Sequence, residues 1–312
     1  MSVRDRFHHD YFADVDRDKS TALLIFLVPG LSLFTIFTLM PIAYASVGSF
    51  FEWDRFAMGE FAGFDIWIAT FQDSSFINWD NLVQFRYPMG ALPQNLIWMI
   101  IHVPVSTFLG LGIALLFADL KGRRILRTLV FVGFTTPTIV IGLVLLFIYD
   151  PEAGIFNALL EVLGQEQLVR DWLRSSQLAI YALIAGGIWI HTGFSMLLYS
   201  SALSNIDPAL MESARVDGAG AYRRFWDIIW PLVKPVTAVV VIMGMIWVLR
   251  IFAIVYAAGG PSGGPNGIFT VLGIEVYQAA FVPNVEYGKA MVIALVQLLI
   301  CIPLAWYIAD MD

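Results

Sequence analysis

Long apolar runs alternate with shorter polar segments along the whole of this 312-residue chain. Six of these runs are close to or longer than the ~20 residues that a helix needs to cross the hydrocarbon core of a bilayer. They cover residues 22–50, 95–117, 125–149, 178–201, 236–258 and 290–309. Backbone N–H and C=O groups in lipid must be bonded within the segment, so each run is predicted to be a helix. The pattern predicts an all-α, polytopic membrane protein with six transmembrane helices.

Composition agrees with this pattern, since 59% of the residues are hydrophobic, only 14% are charged, and the mean hydropathy is +0.75. A soluble domain of ordinary composition is less apolar. The sequence therefore divides into a polar tail at residues 1–20 and a transmembrane domain at residues 21–312. The single cysteine, Cys301, lies in the last apolar run and is predicted to be a packing residue.

Basic residues are unequally shared between the two sets of polar segments. If both termini are placed on one side, that side has twelve of the 18 Lys and Arg residues, in the tail, after the second run and in residues 204–235. The opposite side has five, spread over the longer segments 51–94, 150–177 and 259–289. The positive-inside rule then predicts cytoplasmic termini, a cytoplasmic 204–235 loop, and three external loops at a cell membrane.

The 204–235 loop has more internal order than an ordinary connector between spans. Asp207 is a good helix N-cap, and Pro208 suits the first helical position because its missing N–H costs nothing there. A short helix is predicted from this point, and Gly218 is expected to end it. A second helical stretch is predicted at residues 221–229, where Pro231 is expected to separate it from the next apolar run. The loop is thus predicted to be a two-helix docking element.

The spacing of this loop resembles a known signature, in which Glu-Ala-Ala, three residues, Gly, nine residues and Ile-x-Leu-Pro follow one another. The matching residues here are Glu212, Ser213, Ala214, Gly218, Ile228, Trp230 and Pro231. Ser213 and Trp230 depart from the usual residues, but the spacing is kept. The signature belongs to the membrane subunits of binding-protein-dependent ABC importers, and the resemblance implies that the loop couples the spans to a separate cytoplasmic ATPase. The coupling residues are then Glu212, Ser213, Ala214, Asp217, Gly218, Ile228 and Pro231.

The resemblance extends over most of the chain and is strongest to carbohydrate permeases. Residues 27–51 look like the first span of that group, residues 149–157 look like its motif after the third span, and Gly263, Gly264 and Pro265 fit its later turn. The chain looks most similar to the first-type subunit of maltose and glycerol-3-phosphate importers. This resemblance implies a sugar or polyol cargo and three kinds of partner: ABC ATPase subunits, a second and different permease subunit, and an extracytoplasmic solute-binding protein.

Polar side chains within the apolar runs are candidates for the substrate path, because such groups are costly in lipid. His102, Arg250 and Gln297 lie on three runs at similar depths, about 10 to 13 Å below the predicted external boundary, and are predicted to converge. A second group near the midplane could bond and stack against a sugar. Its members are Thr135, Thr136, Trp189, His191 and Thr192. The alternative is structural, since Arg snorkels and intramembrane hydroxyl and amide groups commonly bond neighbouring helices.

Catalysis within the chain is not predicted. The sequence has no G-x-x-x-x-G-K-[ST] loop to hold nucleotide phosphates and no metal or nucleophile motif, so no cofactor or metal is expected and ATP hydrolysis is assigned to a separate subunit. An ion-coupled secondary transporter stays open as an alternative, because it would also have buried polar residues. Such transporters normally show internal repeats, which are not evident here.

Overall fold

The computed structural model describes residues 23–54, 56–118 and 120–310, so the predicted cytoplasmic tail at residues 1–20 lies outside the described residues. Five helices of the described part are long and apolar enough to cross a membrane, and a bent pair of shorter helices makes six when it is counted as one span. The predicted, predominantly helical membrane fold is confirmed.

The main elements follow one another in chain order. They are α1 (Leu23–Gly48), β1 (Phe51–Asp54), β2 (Ala57–Phe61), α2 (Asp65–Gln72), α3 (Trp79–Val83), α4 (Ala91–Ala118), α5 (Arg123–Thr135), α6 (Thr138–Ile148), α7 (Ile155–Val162), α8 (Ala179–Ser204), α9 (Pro208–Val216), α10 (Ala221–Leu249), α11 (Ala253–Gly259), α12 (Leu272–Phe281) and α13 (Tyr287–Ala309). The strands β1 and β2 form an antiparallel hairpin with Asp54 opposite Ala57, a feature that the all-α prediction did not include.

The core of the molecule lies where α4, α8 and α10 pack together. Trp98 of α4, Leu183 of α8 and Val248 of α10 are fully buried there. Small residues allow the close approach of α4 to α8, since a Cβ added at Gly110 would lie 2.8 Å from the backbone nitrogen of Met196. Helices in lipid associate mainly through such close packing, so this contact fixes the centre of the fold.

By contrast, α1 stands apart from this core. None of the residues in its most apolar stretch is buried, and its side chains are apolar on all sides. Its end is held by α13 and the hairpin, because Gly48 faces the Met291 sulfur and its carbonyl accepts a 2.9 Å hydrogen bond from Trp53 Nε1. A helix that is apolar all round suits contact with lipid or with another membrane helix.

The third predicted span, at residues 125–149, is not one straight helix. Its two halves, α5 and α6, meet at an angle of 100° around Thr136 and Pro137. Thr136 has an extended backbone (φ −75°, ψ 133°) because a residue that precedes proline is disfavoured in the helical region. The prediction of a continuous span was therefore wrong at this point, although the apolar pattern is unbroken.

The fifth predicted span, at residues 236–258, belongs to a helix that begins earlier than predicted and breaks before the predicted end of the span. Helix α10 begins at Ala221 and continues to Leu249, so Pro231 does not separate the loop from the span as predicted. A π-helical turn at Phe225–Ile229 precedes the proline, and such wide turns relieve the clash between a proline ring and the preceding turn. The chain then leaves the helix at Arg250 and resumes as α11.

Candidate functional site

The 204–235 loop is built from local backbone chemistry. The Asp207 carboxylate accepts a 2.9 Å hydrogen bond from the Ala209 N–H and caps α9. Gly218 has a left-handed backbone (φ 78°), and the next N–H, of Ala219, bonds back to the Ala214 carbonyl at 2.9 Å. A Cβ at Gly218 would meet no atom within 4 Å, so glycine is needed there for its backbone angle rather than for space.

The predicted coupling residues lie mostly on the outside of this loop. The exposed residues are Glu212, Ser213, Asp217, Gly218 and Pro231, while Ala214 and Ile228 are half-buried. The one ion pair within the described part of the loop joins Arg223 and Asp227 at 3.2 Å, which leaves the Glu212 and Asp217 carboxylates without a charged partner among the described residues. Beneath the loop, a cavity of about 460 Å³ lies between α9, the start of α10, and the ends of α4 and α8.

Two histidines, one on α4 and one on α8, meet in the core. The ring centroids of His102 and His191 are 5.2 Å apart, and Trp247 stacks on His102 with its centroid at 4.8 Å. Gly244 gives them room, since a Cβ there would lie 3.1 Å from His191 Nε2. We call His102, His191 and Trp247 the histidine cluster. The described residues offer no hydrogen-bond partner to either nitrogen of His102 or to His191 Nε2.

A cavity of about 470 Å³ opens beside this cluster, between the two helix breaks, and we call it the break cavity. Thr138 lines it from the first break, Arg250 and Phe252 line it from the second, and His191 and Trp247 line it from the cluster. Discontinuous membrane helices commonly surround binding sites because their irregular backbone faces a cavity rather than lipid. Its volume is within the ~300 to 1,000 Å³ range of small-molecule sites.

The structure does not bring together all three of the residues that were predicted to converge, His102, Arg250 and Gln297. His102 joins His191 rather than Arg250 and Gln297. Arg250 and Gln297 instead line a second cavity, of about 490 Å³, which we call the Gln297 cavity. The Gln297 side-chain amide donates a 2.8 Å hydrogen bond to the Leu249 carbonyl at the end of α10.

The remaining predicted residues lie around the first break or within the core. The Thr135 and Thr136 hydroxyls donate to the Val132 carbonyl at 3.0 and 2.8 Å, within their own helix. Trp189 is 44% exposed and packs over Gly133, outside the lining of the break cavity. Thr192 is buried next to His191 in the sequence, and its hydroxyl has no partner among the described residues. The functional role of all these residues stays a prediction.

Sequence reasoning missed the residues that tie the second break to the rest of the core. Asn95, at the start of α4, donates from Nδ2 to the Val248 carbonyl at 2.8 Å and accepts from the Leu272 N–H at 2.7 Å. Its neighbour Gln94 donates to the Thr270 carbonyl. Two buried amides at the head of an apolar run were a signal, but their partners are more than 150 positions away along the chain.

A charged cluster near the start of α13 was also missed. The Lys289 ammonium lies 2.6 Å from Asp73 and 2.8 Å from the buried carboxylate of Glu275, and the Ser75 hydroxyl donates to Glu275 at 2.6 Å. Burial acts to raise the pKa of Asp73, but the hydrogen bonds from Lys289 and from Ser75 outweigh it and hold that pKa below its ordinary value. The cluster joins the segment after α2 to α12 and α13.

A family comparison covers most of the transmembrane domain. Residues 106–309, more than half of the chain, match the profile of the "binding-protein-dependent transport system inner membrane component" family, and the match includes both breaks and the 204–235 loop. The chain belongs to this family. The permease is 37% identical over 286 residues to a Pyrococcus horikoshii protein named a probable ABC transporter permease, which covers 91% of this chain and 96% of that protein.

Two further comparisons agree. The permease is 30% identical over 277 residues to the trehalose/maltose transport system permease protein MalF of Thermococcus litoralis, with 86% of each chain covered. Its fold matches a chain from a bacterial ABC transporter involved in the import of the acidic polysaccharide alginate, with a TM-score of 0.77, 20% identity, and 97% and 98% of the two chains covered. At that identity the match shows the fold alone.

The predicted assignment to ABC importer permeases is therefore confirmed, and the ion-coupled secondary transporter is excluded. The chain is a multi-pass membrane protein that forms the translocating part of such an importer.

Proposed function

We propose that this permease carries a sugar or related polyol across the cell membrane, driven by a separate ATPase that docks on the 204–235 loop. The observation that carries this proposal is the continuity of α10. One helix joins the loop to the histidine cluster and the second break, over 29 residues. At 1.5 Å per residue it is about 43 Å long. A displacement of the loop is therefore transmitted to the cavity rather than absorbed by a flexible joint.

The exposed face of α9 supplies the docking contact. Glu212 and Asp217 present carboxylates that charge-assisted hydrogen bonds from an ATPase would satisfy, and Ala214 permits close approach of its backbone. Gly218 fixes the angle at which the chain turns into α10. Ser213, Ile228 and Pro231 complete the proposed contact with the ATPase. The positive-inside distribution of Lys and Arg supports a cytoplasmic position for this loop and for both termini.

The cargo proposal rests on relatives and on the lining of the break cavity. The Thermococcus litoralis relative is named for trehalose and maltose. In this permease, Phe134, Phe194 and Trp247 give the cavity aromatic walls, and His191 adds a polar ring. Aromatic faces suit the apolar faces of sugar rings, while polar groups fix their hydroxyls. His102, Thr192 and Gln297 do not line the break cavity, and we propose that they position the residues that do.

The proposed assembly contains ABC ATPase subunits, a second and different permease, and an extracytoplasmic solute-binding protein. Exposed apolar side chains of α1 supply a surface for lipid or for the second permease. On the side opposite the 204–235 loop, segments 51–94, 150–177 and 259–289 are the proposed contact surface for the binding protein. The family's description as binding-protein-dependent supports that partner.

A pull-down from native membranes in mild detergent tests the docking step. The tagged permease should recover a P-loop ATPase and a second permease, identified by mass spectrometry. Glu212→Arg and Gly218→Pro should each abolish ATPase recovery and transport while the protein is still inserted and expressed. Glu161→Arg, a matched charge reversal on the exposed surface of α7, should leave ATPase recovery unchanged. Normal recovery and uptake in both loop variants would remove the docking proposal.

A further inference from the structure

Arg250 lies at the end of α10 and faces two cavities at once. It caps the helix (φ −97°, ψ 9°), and its side chain lines both the break cavity and the Gln297 cavity. Among residues 23–54, 56–118 and 120–310, no other charged residue lines either of them. The site thus combines one cation with otherwise apolar, aromatic and uncharged polar walls.

The Arg250 guanidinium has no charged partner among the described residues. None of the salt bridges in that part of the protein includes it, and no carboxylate lines either cavity. Gln297, which lines the Gln297 cavity with Arg250, donates its side-chain amide to the Leu249 carbonyl instead. An ionisable group inside a membrane span is costly and is retained mainly where it faces a partner or a watery path.

The surroundings of Arg250 suit one kind of partner. Guanidinium groups bind carboxylate, sulfate and phosphate oxygens through two parallel N–H donors. Trp247 and Phe252 lie in the same cavity and offer faces for an apolar ring surface, and His191 offers a nitrogen without a partner among the described residues. One molecule that satisfies all three is a sugar ring with an oxyanion attached.

We propose that the break cavity takes a sugar bearing an anionic substituent, and that Arg250 is the residue that selects for the anion. The inference rests on the proposed sugar import and narrows its substrate class. A neutral sugar leaves the Arg250 charge without a partner in the cavity, whereas an anionic one neutralises it. The selectivity therefore arises from the electrostatic pairing and not from the size of the cavity.

Two methyl glycosides that differ only at the sixth carbon test this proposal. Methyl β-D-glucuronide carries a carboxylate there, and methyl β-D-glucoside carries a neutral hydroxymethyl group. Their dissociation constants are measured by saturation-transfer NMR on the assembled, detergent-solubilised permease complex. Glucose 6-phosphate is a third probe, which separates a phosphate preference from a carboxylate preference.

The wild-type complex should bind the better of the two anionic probes about tenfold more tightly than the glucoside, and added salt should reduce this ratio. Arg250→Gln should abolish the preference by weakening the binding of the anionic probes. Arg250→Lys should retain part of it, because the charge stays but the planar pair of donors is lost. Arg86→Gln makes the same change on the exposed surface after α3 and should retain the full preference.

The outcomes separate this inference from the proposed cargo class. Equal binding of the three probes by the wild type, or an unchanged preference in Arg250→Gln, would overturn the anion proposal and leave sugar import standing. Binding of none of them by an intact complex would overturn both. A complex that dissociates on gel filtration only in Arg250→Gln would show that Arg250 pairs with a neighbouring subunit, which also overturns the anion proposal.

Discussion

Asn95 is the residue whose replacement should most directly loosen the second helix break. Its side chain bonds the end of α10 at the Val248 carbonyl and the start of α12 at the Leu272 N–H. All three residues are fully buried. Asn95→Ala removes both bonds while leaving the backbone of α4 helical, so the loss reports on these contacts rather than on helix propensity.

The two bonds are not equivalent. The Val248 carbonyl loses the bond from Asn95 but still accepts a 3.2 Å hydrogen bond from the Ile251 N–H. The Leu272 N–H, at the first position of α12, has no intrahelical acceptor and becomes a buried donor without a partner. An orphaned buried group costs about 1 to 3 kcal/mol and an ordinary lost bond about 1 kcal/mol, so Asn95→Ala should cost about 2 to 4 kcal/mol.

Thermal stability in detergent measures this loss. The fluorescently tagged protein is heated, and the fraction that still elutes as a single species on gel filtration gives the apparent midpoint. With about 2 to 4 °C per kcal/mol, the value for chains of about 150 to 250 residues, the midpoint of Asn95→Ala should fall by about 4 to 16 °C. Asn205→Ala, an exposed amide at the end of α8, is the matched control and should change the midpoint little.

A midpoint for Asn95→Ala that falls no further than that of Asn205→Ala would refute the reasoning. It would mean that the Leu272 N–H finds another acceptor, or that the unfolded chain in detergent satisfies these groups equally well. Hydrogen bonds between membrane helices average about 0.6 kcal/mol in double-mutant cycles, so the larger loss predicted here depends on the Leu272 N–H being left without a partner.

Two further predictions concern the charged cluster at the start of α13. Lys289→Met should cost about 3 kcal/mol or more, because it leaves the buried Glu275 carboxylate unpaired, and adding Glu275→Gln should restore much of the midpoint; no recovery would show that the pair is not coupled. Asp73 has a lowered pKa in the folded protein, so its stabilising effect is full above its ordinary value of 3.8 and is lost as the pH falls through the folded-state pKa. The difference in midpoint between wild type and Asp73→Asn should therefore be constant near neutral pH and shrink below about pH 4, and a gap that widens there would contradict this reasoning.

The histidine cluster illustrates what a linear sequence conceals. His102 and His191 each lie in an apolar run, and their depths along separate helices did not show that their rings are 5.2 Å apart. Trp247 completes the cluster, but an aromatic residue in an apolar run is indistinguishable from ordinary packing until the neighbouring helices are in place. Which residues share a cavity depends on helix rotation, which is fixed by contacts such as that of Gly110 with Met196.

The two helix breaks have different causes, one local in the sequence and the other long-range. Pro137 was visible in the sequence, and its effect on Thr136 is local, but the surrounding hydropathy gave no sign that the span bends by 100°. The break at Arg250 has no proline, and it is held by Asn95 and Gln297 from other helices. Pro231 shows the converse, because the π-helical turn before it keeps α10 continuous where proline alone predicted an interruption.

The sequence by itself determined the number of apolar crossings, the N-cap at Asp207, the helix end at Gly218 and the spacing that identifies the importer family. Each of these depends on bilayer thickness or on interactions within a few residues along the chain, so composition and spacing suffice. Only the tertiary structure decided where the spans break, which side chains meet in the break cavity, and that Arg250 faces it without a partner among the described residues. These properties depend on how the helices pack side by side, and packing joins residues that are far apart in the chain.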